Sequence, residues 1–209
     1  MIIAVDGPTA SGKGTIAKRL AEHLGVPHLD TGLLYRAVGR QVAINEGDPD
    51  EEAHALAACA FADDLLDDPV LRSEEVGGLA SRVSVHPAVR QKLFERQRAF
   101  AKQPGGAVLD GRDIGTIIAP DADVKLFITA SVHERARRRW LEMTGREVEI
   151  PLDEIEKDIV MRDERDITRK DAPLKAAPDA LVIDTTPFDK DQAFETVLEA
   201  VEEALRQNR

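Results

Sequence analysis

A glycine-rich stretch near the start of the chain has the residue types and spacing of a phosphate-binding loop. An apolar run at residues 2–5 precedes it, and Ile16, Leu20 and Leu24 follow at the spacing of four that is typical of a helix. A strand, the pattern G-x-x-x-x-G-K and a helix, in that order, bring successive backbone N–H groups close to phosphate oxygens. We therefore predict that a phosphate site is formed by Gly7, Pro8, Thr9, Ala10, Ser11, Gly12, Lys13, Gly14 and Thr15.

Two positions in this stretch carry further chemistry. Lys13 supplies a mobile positive charge for the outer phosphates, and the helix that begins near it adds the positive end of its dipole. The next residue is Gly14, where most GTPases and ATPases have a serine or threonine hydroxyl for Mg²⁺. A G-K-G-T sequence is similar to that of nucleoside monophosphate kinases. The loop therefore favours phosphoryl transfer to a small nucleotide.

A second charged group, Asp110-Gly111-Arg112-Asp113, follows an apolar strand pattern. A carboxylate such as Asp110 is suited to hold Mg²⁺ through water, and Arg112 is suited to bind a phosphate in bidentate fashion. The alternative is a turn with exposed charges. Because two acids and an arginine stand at the end of a strand beside the glycine-rich loop, we interpret them as part of the same site.

The arginines further along the chain are clustered, although the chain is acidic. They occur at residues 135–139 and again at Arg162, Arg165 and Arg169. Clustered arginines in an acidic chain indicate a local anion site, whereas solvated helix faces with neighbouring acids are the alternative. Spacings of three and four place Arg162, Arg165, Asp166 and Arg169 on one helix face.

The chain alternates apolar strand patterns with helical patterns. This predicts an α/β fold of the P-loop NTPase type: a doubly wound parallel sheet of about five strands with helices on both faces. In such sheets ligands bind at the carboxyl ends of the strands, where the charged groups above would meet. We predict a single domain at 1–209, with a core at 1–40, 86–135 and 171–209, a small helical insert at about 41–85 and a lid at about 136–170.

Composition narrows the class of protein. The chain has 209 residues, 43% of them hydrophobic, which suits one globular domain. It has one cysteine, Cys59, no apolar run long enough to cross a membrane, and a predicted core strand in place of a signal peptide. Its net charge is −11, whereas a non-specific binder of nucleic acid or acidic membrane would normally be basic. We expect a cytoplasmic monomer that binds neither nucleic acid nor membranes.

Four blocks, in order over nearly the whole chain, together resemble bacterial cytidylate kinases. The resemblance implies transfer of the γ-phosphoryl group of ATP to CMP or dCMP, in pyrimidine nucleotide metabolism. It also implies Mg²⁺ held mainly by phosphates and water, without a metal site of the protein's own. The blocks are the glycine-rich stretch, Leu29-Asp30-Thr31-Gly32-Leu33-Leu34-Tyr35-Arg36, Asp110-Gly111-Arg112-Asp113-Ile114-Gly115-Thr116, and Arg162-Asp163-x-x-Asp166-x-x-Arg169-x-x-Ala172-Pro173-Leu174.

The same resemblance implies a role for each matching residue. Lys13 and the glycine-rich loop hold ATP, and Thr31 and Asp110 lie at the acceptor site. By this resemblance the acceptor phosphate is bound by Arg36, Arg112 and Arg169. The ribose is bound by Arg162 and Asp166, and the cytosine by Ser81, Arg90 and Asp113. The residues nearest the transferring phosphoryl group are Lys13, Arg112, Arg169, Arg165 and the arginines of 135–139, with Arg138 as the leading candidate. The chain is shorter between residues 61 and 79 than many family members.

Two other functions compete with this interpretation. The first is a small-molecule kinase of the same fold that acts on UMP, AMP or shikimate. The second is a P-loop switch that binds a nucleotide and hydrolyses it slowly without an acceptor. A switch needs no second anion pocket, so the arginines outside the glycine-rich loop count against it. The five histidines show no catalytic or metal-binding spacing.

Overall fold

The computed structural model describes residues 1–144 and 150–207 of the chain. Its centre is a five-stranded sheet in which every neighbouring pair of strands is parallel. The strand order is β2-β3-β1-β4-β5, so the first strand lies in the middle. The strands are β1 (Ile2–Asp6), β2 (His28–Asp30), β3 (Ala107–Gly111), β4 (Val124–Thr129) and β5 (Leu181–Asp184). The predicted α/β fold with about five parallel strands is confirmed.

Helices connect the strands, as parallel pairing requires. None of the helices in the described ranges is long and apolar enough to cross a membrane. Three short 3-10 turns, at Ala58–Ala60, Asp63–Asp67 and Pro69–Arg72, and a short π-helix at Ile114–Ile118 complete the described elements. The helices are α1 (Lys13–Leu24), α2 (Thr31–Ile44), α3 (Glu52–Ala57), α4 (Glu74–Val83), α5 (Pro87–Ala101), α6 (Val132–Thr144), α7 (Leu152–Thr168) and α8 (Lys190–Gln207).

The core covers both faces of the central strand. On one face Ile3 packs with Leu20 of α1 and Val197 of α8, and on the other Ala4 packs with Leu109 of β3. All five side chains are completely buried. Burial of an aliphatic side chain contributes about 1.5–3 kcal/mol, so these contacts hold the carboxyl ends of β1 and β3 in fixed positions.

Residues 45–75 contain short helices and 3-10 turns and no strand, as the sequence predicts. They pack on α2 and α4 around an apolar cluster that includes Leu34, Leu71 and Val83. Gly39 of α2 lies so close to α4 that a Cβ there would stand 2.8 Å from the Cβ of Leu79. The two helices therefore form the rigid base of the insert.

In the predicted lid, the start of α6 agrees with its local sequence pattern, whereas the end of α7 does not. The Ser131 hydroxyl accepts a hydrogen bond from Glu134 N at 3.2 Å and caps α6, as a serine followed three residues later by a glutamate favours. The expectation that Arg169 continues the helical face of α7 is wrong, because α7 ends at Thr168 and Arg169 has extended backbone angles. Leu174 N bonds to Asp166 O at 2.8 Å and turns the chain back. Residues 145–149 of the predicted lid lie outside the described residues.

Candidate active site

The glycine-rich loop joins β1 to α1 and owes its shape to two glycines. Gly12 has φ of 87°, a left-handed conformation that costs glycine little. Gly7 stands against β4, where an added Cβ would lie 2.1 Å from the carbonyl oxygen of Ile128. The loop therefore runs across the carboxyl end of the sheet, with the first turn of α1 directly behind it.

Lys13 lies inside this loop. Its ammonium group donates a hydrogen bond to Pro8 O at 3.2 Å. Burial lowers the pKa of Lys13 to about 8, and the nearby Arg112 guanidinium acts in the same direction. Asp110 and Asp30 oppose this shift. A further anion close to the ammonium group, such as a phosphate, would raise this pKa and favour the charged form of Lys13.

Two acidic side chains lie near this lysine: Asp30 is the last residue of β2, and Asp110 is the last but one of β3. The strands pair so that Asp30 is the register partner of Asp110. Burial raises the pKa of Asp30, and the charge of Asp110 raises it further. His28 Nε2 bonds to Asp110 Oδ1 at 2.7 Å, while Asp110 Oδ2 faces Gly14. The Asp110 carboxylate therefore lies next to Gly14, the position at which most P-loops have a serine or threonine hydroxyl.

A cavity of about 1020 Å³ lies over the glycine-rich loop. Its walls come from α1, β2, α6 and the segment between β5 and α8, including Lys13, Asp30, Arg137 and Phe188. A volume of this size accommodates a nucleotide. The loop that the sequence predicts as a phosphate site thus forms the floor of a cavity that suits a nucleotide in size.

A network of arginine–aspartate pairs stands next to the loop. Arg112 Nε donates to Asp166 Oδ2 at 2.8 Å, which joins β3 to α7. Arg90 of α5 pairs closely with Asp113, and Arg169 Nη2 lies 3.7 Å from the second Asp113 oxygen. Burial lowers the pKa of Arg169, and the charge of Arg90 lowers it further. Residues far apart in the sequence thus meet in one buried polar pocket.

A second arginine group borders α4. Arg36 of α2 donates to Leu71 O at 2.6 Å and to Ser73 O at 2.9 Å. A Cβ at Gly77 would lie 2.8 Å from Arg162 Nη2 and 2.9 Å from Arg36 Nη2. A larger residue at this turn of α4 would displace the guanidinium groups, so glycine at position 77 allows both arginines to lie against the helix.

Thr31 also belongs to this region, at the start of α2. Its hydroxyl donates to Asp110 O at 2.7 Å and is buried. A Cβ at Gly111 would stand 2.5 Å from the Thr31 hydroxyl oxygen, so the two strand ends are in close contact. The structure thus brings the β2–α2 corner and the Asp110–Asp113 segment together, as the sequence predicts.

Three other arginines that the sequence analysis selected have protein partners of their own. Arg138 Nη2 donates to Thr185 O at 2.6 Å, and Arg138 Nη1 donates to Ser11 O at 3.3 Å, so this side chain ties the glycine-rich loop to the end of β5. Arg165 bonds to the Ser81 hydroxyl across α7 and α4. Arg135 reaches both Thr9 O and Asp163. The structure therefore gives these arginines positioning contacts in addition to their predicted roles.

Sequence reasoning missed a structural residue of the site, Asp6. Asp6 is the last residue of β1, and its two carboxylate oxygens accept hydrogen bonds from Ile114 N and Gly115 N, both at 2.8 Å. Burial raises the pKa of Asp6 to about 6. The carboxylate anchors the segment directly after Arg112 and Asp113. A charged residue at the end of an otherwise apolar strand was the available signal.

The parallel sheet, the glycine-rich loop after its central strand and the arginine-lined pocket beside that loop define a protein of the P-loop class. A family model described as cytidylate kinase matches residues 3–203, and the chain belongs to the cytidylate kinase family. It is 53% identical to a cytidylate kinase of Methylocella silvestris over 98% of this chain and 95% of that protein. It is 50% identical to a cytidylate kinase of Xanthobacter autotrophicus over 100% of both chains.

Solved structures add support for the fold alone. An uncharacterized protein from Eubacterium ventriosum aligns with a TM-score of 0.57 at 16% identity and covers 97% of this chain and 98% of its own. TT1252 from Thermus thermophilus aligns with a TM-score of 0.50 at 23% identity, over 98% of this chain and 97% of its own. Both alignments extend over nearly the whole of each chain, which supports a similar overall fold.

Proposed function

We propose that this chain transfers the γ-phosphoryl group of ATP to CMP or dCMP and releases ADP with CDP or dCDP. The observation that carries the proposal is the arginine–aspartate pocket beside the glycine-rich loop, because a second anion site is what a phosphoryl acceptor needs. Membership of the cytidylate kinase family supports the choice of acceptor. Phosphoryl transfer relies mainly on alignment and charge cancellation, so no protein nucleophile is required.

ATP is the donor in this proposal, with its phosphates in the glycine-rich loop and Lys13 on the outer ones. The residues present also fit Mg²⁺. Asp30 and Asp110 put excess negative charge beside Lys13, and no group of three or more metal-ligating side chains occurs in the described ranges. Asp110 would therefore hold the ion through water, and phosphates and water would supply most ligands. When bound, Mg²⁺ neutralises phosphate charge.

The acceptor phosphate is assigned to Arg36, Arg112 and Arg169, with Thr31 beside it. Arg112 and Arg169 both contact Asp166, so one carboxylate orients two phosphate-binding guanidinium groups. Asp166 and Arg162 of α7 are assigned to the ribose. Planar guanidinium groups bind phosphate oxygens in pairs, which fixes the direction of the acceptor as well as its charge.

The cytosine is assigned to Ser81, Arg90 and Asp113. Cytosine offers an amino group to a carboxylate and two acceptor atoms to an arginine, whereas uracil reverses part of this pattern. The Arg90–Asp113 pair is buried and joins α5 to the end of β3, so it forms a rigid donor–acceptor edge. Uracil has nearly the shape of cytosine but would leave these fixed polar groups without hydrogen-bond partners, so such a site rejects it strongly.

Residues 41–85 are proposed to cover the acceptor and residues 136–170 to act as the lid. Closure of such segments over the reactants excludes water. Arg138 and Arg165 are proposed to lie nearest the transferring phosphoryl group. Their bonds to Ser11 and to Ser81, respectively, connect the lid helices to the donor loop and to the insert. We also propose that the chain works as a monomer.

A coupled assay of ADP release over a panel of acceptors tests the proposal. CMP and dCMP should give turnover well above UMP and AMP, and shikimate should give none. Preference for another acceptor would replace cytidylate with that substrate. Slow ADP release that no acceptor stimulates would favour a P-loop switch instead.

A further inference from the structure

Glu74 occupies an unusual position in the first turn of α4. Its carboxylate pairs closely with Arg139 of α6 and lies 3.8 Å from Arg162 Nη1 of α7. The helix start is capped, because the Ser73 hydroxyl accepts a hydrogen bond from Val76 N. One acidic side chain of the insert therefore bridges both helices of the lid.

The surroundings of Glu74 are strongly positive. Arg36 reaches the same turn of α4 through its bond to Ser73 O, and Gly77 one turn later contacts both Arg36 and Arg162. Burial lowers the pKa of Arg36 to about 10, and the charges of Arg162 and Arg139 lower it further. The N-terminus of α4 adds the positive end of its dipole. Two guanidinium groups thus pair with this carboxylate at a helix start, and Arg36 approaches Arg162 at the same part of α4.

Anions are needed wherever buried guanidinium groups approach one another, since their mutual repulsion is otherwise uncompensated. Asp158 and Glu142 supply part of this charge from the lid helices themselves, 3.6 Å from Arg162 Nη1 and Arg139 Nη1 respectively. Glu74 supplies a negative charge at the end of a flexible stem. A phosphate group offers the same arginines more charge and more oxygen atoms, in a geometry that guanidinium groups bind in pairs. Glu74 holds Arg139 and Arg162, and the acceptor phosphate is assigned to the adjacent Arg36, so the two anions repel each other and compete for the charge of one arginine group.

We propose that Glu74 is an internal counter-anion that stabilises this arginine group before the acceptor binds and competes with its phosphate. This inference rests on the proposed function, because it takes Arg36 to be a ligand of the acceptor phosphate. Glu74 is a positioning residue in this view: it holds Arg139 and Arg162 in place but lowers the affinity for the acceptor. Removal of its charge should tighten acceptor binding, which is unusual for a residue at the edge of an active site.

The chain offers a matched control in Glu75. This neighbour stands in the same turn of α4 and carries the same charge, but its side chain is exposed. Glu75→Gln changes the net charge as much as Glu74→Gln does. A difference between the two variants therefore reports position and not overall charge. Glu74→Asp keeps the charge and tests whether charge or side-chain identity matters.

Calorimetric titration of the full chain tests the proposal with three probes: CMP, inorganic phosphate and cytidine. Glu74→Gln should bind CMP and inorganic phosphate about 3- to 10-fold more tightly than the wild type, because one like charge leaves the pocket. Cytidine affinity should stay unchanged, since cytidine has no phosphate. Glu75→Gln and Glu74→Asp should remain within about twofold of the wild type for all three probes.

A second expected result concerns the unliganded protein. Glu74→Gln should melt at a lower temperature than Glu75→Gln, and inorganic phosphate should remove most of that difference. A merely structural role would lower the melting temperature without tightening CMP binding. If Glu74→Gln does not fold, Glu74→Ala takes its place, because alanine also removes the charge and favours the helix.

The outcomes separate the two proposals. CMP affinity that is equal or weaker in the charge-removing variant, measured against a wild type that binds CMP, overturns the counter-anion role. A gain for cytidine as large as that for CMP also overturns it. A wild type that does not bind CMP at all contradicts the proposed function instead.

Discussion

The proposed donor loop and the proposed acceptor pocket are built in different ways. The donor loop is one continuous segment between β1 and α1, and its shape comes from backbone angles at Gly7 and Gly12. The acceptor pocket is assembled from side chains of α4, α5, α7 and the segment after β3, which pair with one another across the site. Arg36 of α2 joins them through backbone oxygens of Leu71 and Ser73. One half of the site depends on backbone geometry, and the other depends on a balance of charges.

This difference affects how each half responds to substitution. A loop side chain such as Lys13 bonds to the backbone of its own loop, at Pro8 O, and is proposed to bind the ligand, so its loss should remove activity with little loss of packing. An acceptor residue such as Arg112 also neutralises a buried neighbour, and removal of one partner leaves the other charge uncompensated. Mutations in the loop should therefore separate activity from stability, whereas mutations in the pocket should couple them.

The largest effect is expected for Lys13→Ala. Loss of one preorganised charge contact costs on the order of 3–4 kcal/mol, or roughly 10²–10³ in rate. The melting temperature should not fall, because burial already disfavours the Lys13 charge and lowers its pKa to about 8. Steady-state kinetics and thermal unfolding of the same preparation check both parts. Turnover near that of the wild type would remove the basis for the kinase assignment.

A smaller but more selective effect is expected for Arg112→Lys and Arg169→Lys. Lysine keeps the charge and loses the planar fork, so CMP-dependent efficiency should fall roughly 10- to 100-fold. The KM for ATP should change far less. Both variants should also melt at a lower temperature than the wild type. Arg112→Lys removes the hydrogen bond from Arg112 to Asp166, and Arg169→Lys removes the ion pair of Arg169 with the same carboxylate. If ATP and CMP weaken equally, the acceptor assignment of these arginines is wrong.

Asp113→Asn tests whether the pocket reads the base. One Asp113 oxygen pairs with Arg90 and the other faces Arg169, so the amide disturbs a fully engaged carboxylate. CMP efficiency should fall by roughly 1–3 kcal/mol and the gap between CMP and UMP should narrow. Efficiencies for both nucleotides in both proteins decide this. An unchanged CMP-to-UMP ratio would assign Asp113 to the structure of the pocket alone.

The two halves of the site also differ in how much their sequence reveals. The donor loop occupies consecutive positions between a strand pattern and a helix pattern, so local rules suffice to place it. The parallel sheet follows from the alternation of strands and helices. The cap of α6 by Ser131 was likewise visible as a local pattern.

The acceptor pocket is less accessible to local rules because it depends on contacts between distant segments. The bonds from Ile114 and Gly115 to Asp6 require β1 and β3 to be paired neighbours, which no local pattern states. Arg169 reaches Asp113 only because the chain leaves the helix after Thr168, whereas spacing alone favoured a longer helix. The partners of Glu74 come from two lid helices and were not predicted at all.

The smallest expected effect is a dependence on pH that distinguishes the two halves. The pKa of Lys13 is lowered to about 8, first by burial and then by Arg112, so in the ATP-free protein its charge is lost as the pH rises through that value. Efficiency for ATP should therefore drop about fourfold between about pH 7 and pH 8.5, following the charged fraction. Efficiency for CMP at saturating ATP should stay nearly flat over the same range, because bound phosphates restore the Lys13 charge and the pocket arginines remain protonated. Parallel pH profiles for the two substrates measure this, and a common profile for ATP and CMP would show that Lys13 does not titrate separately from the acceptor pocket.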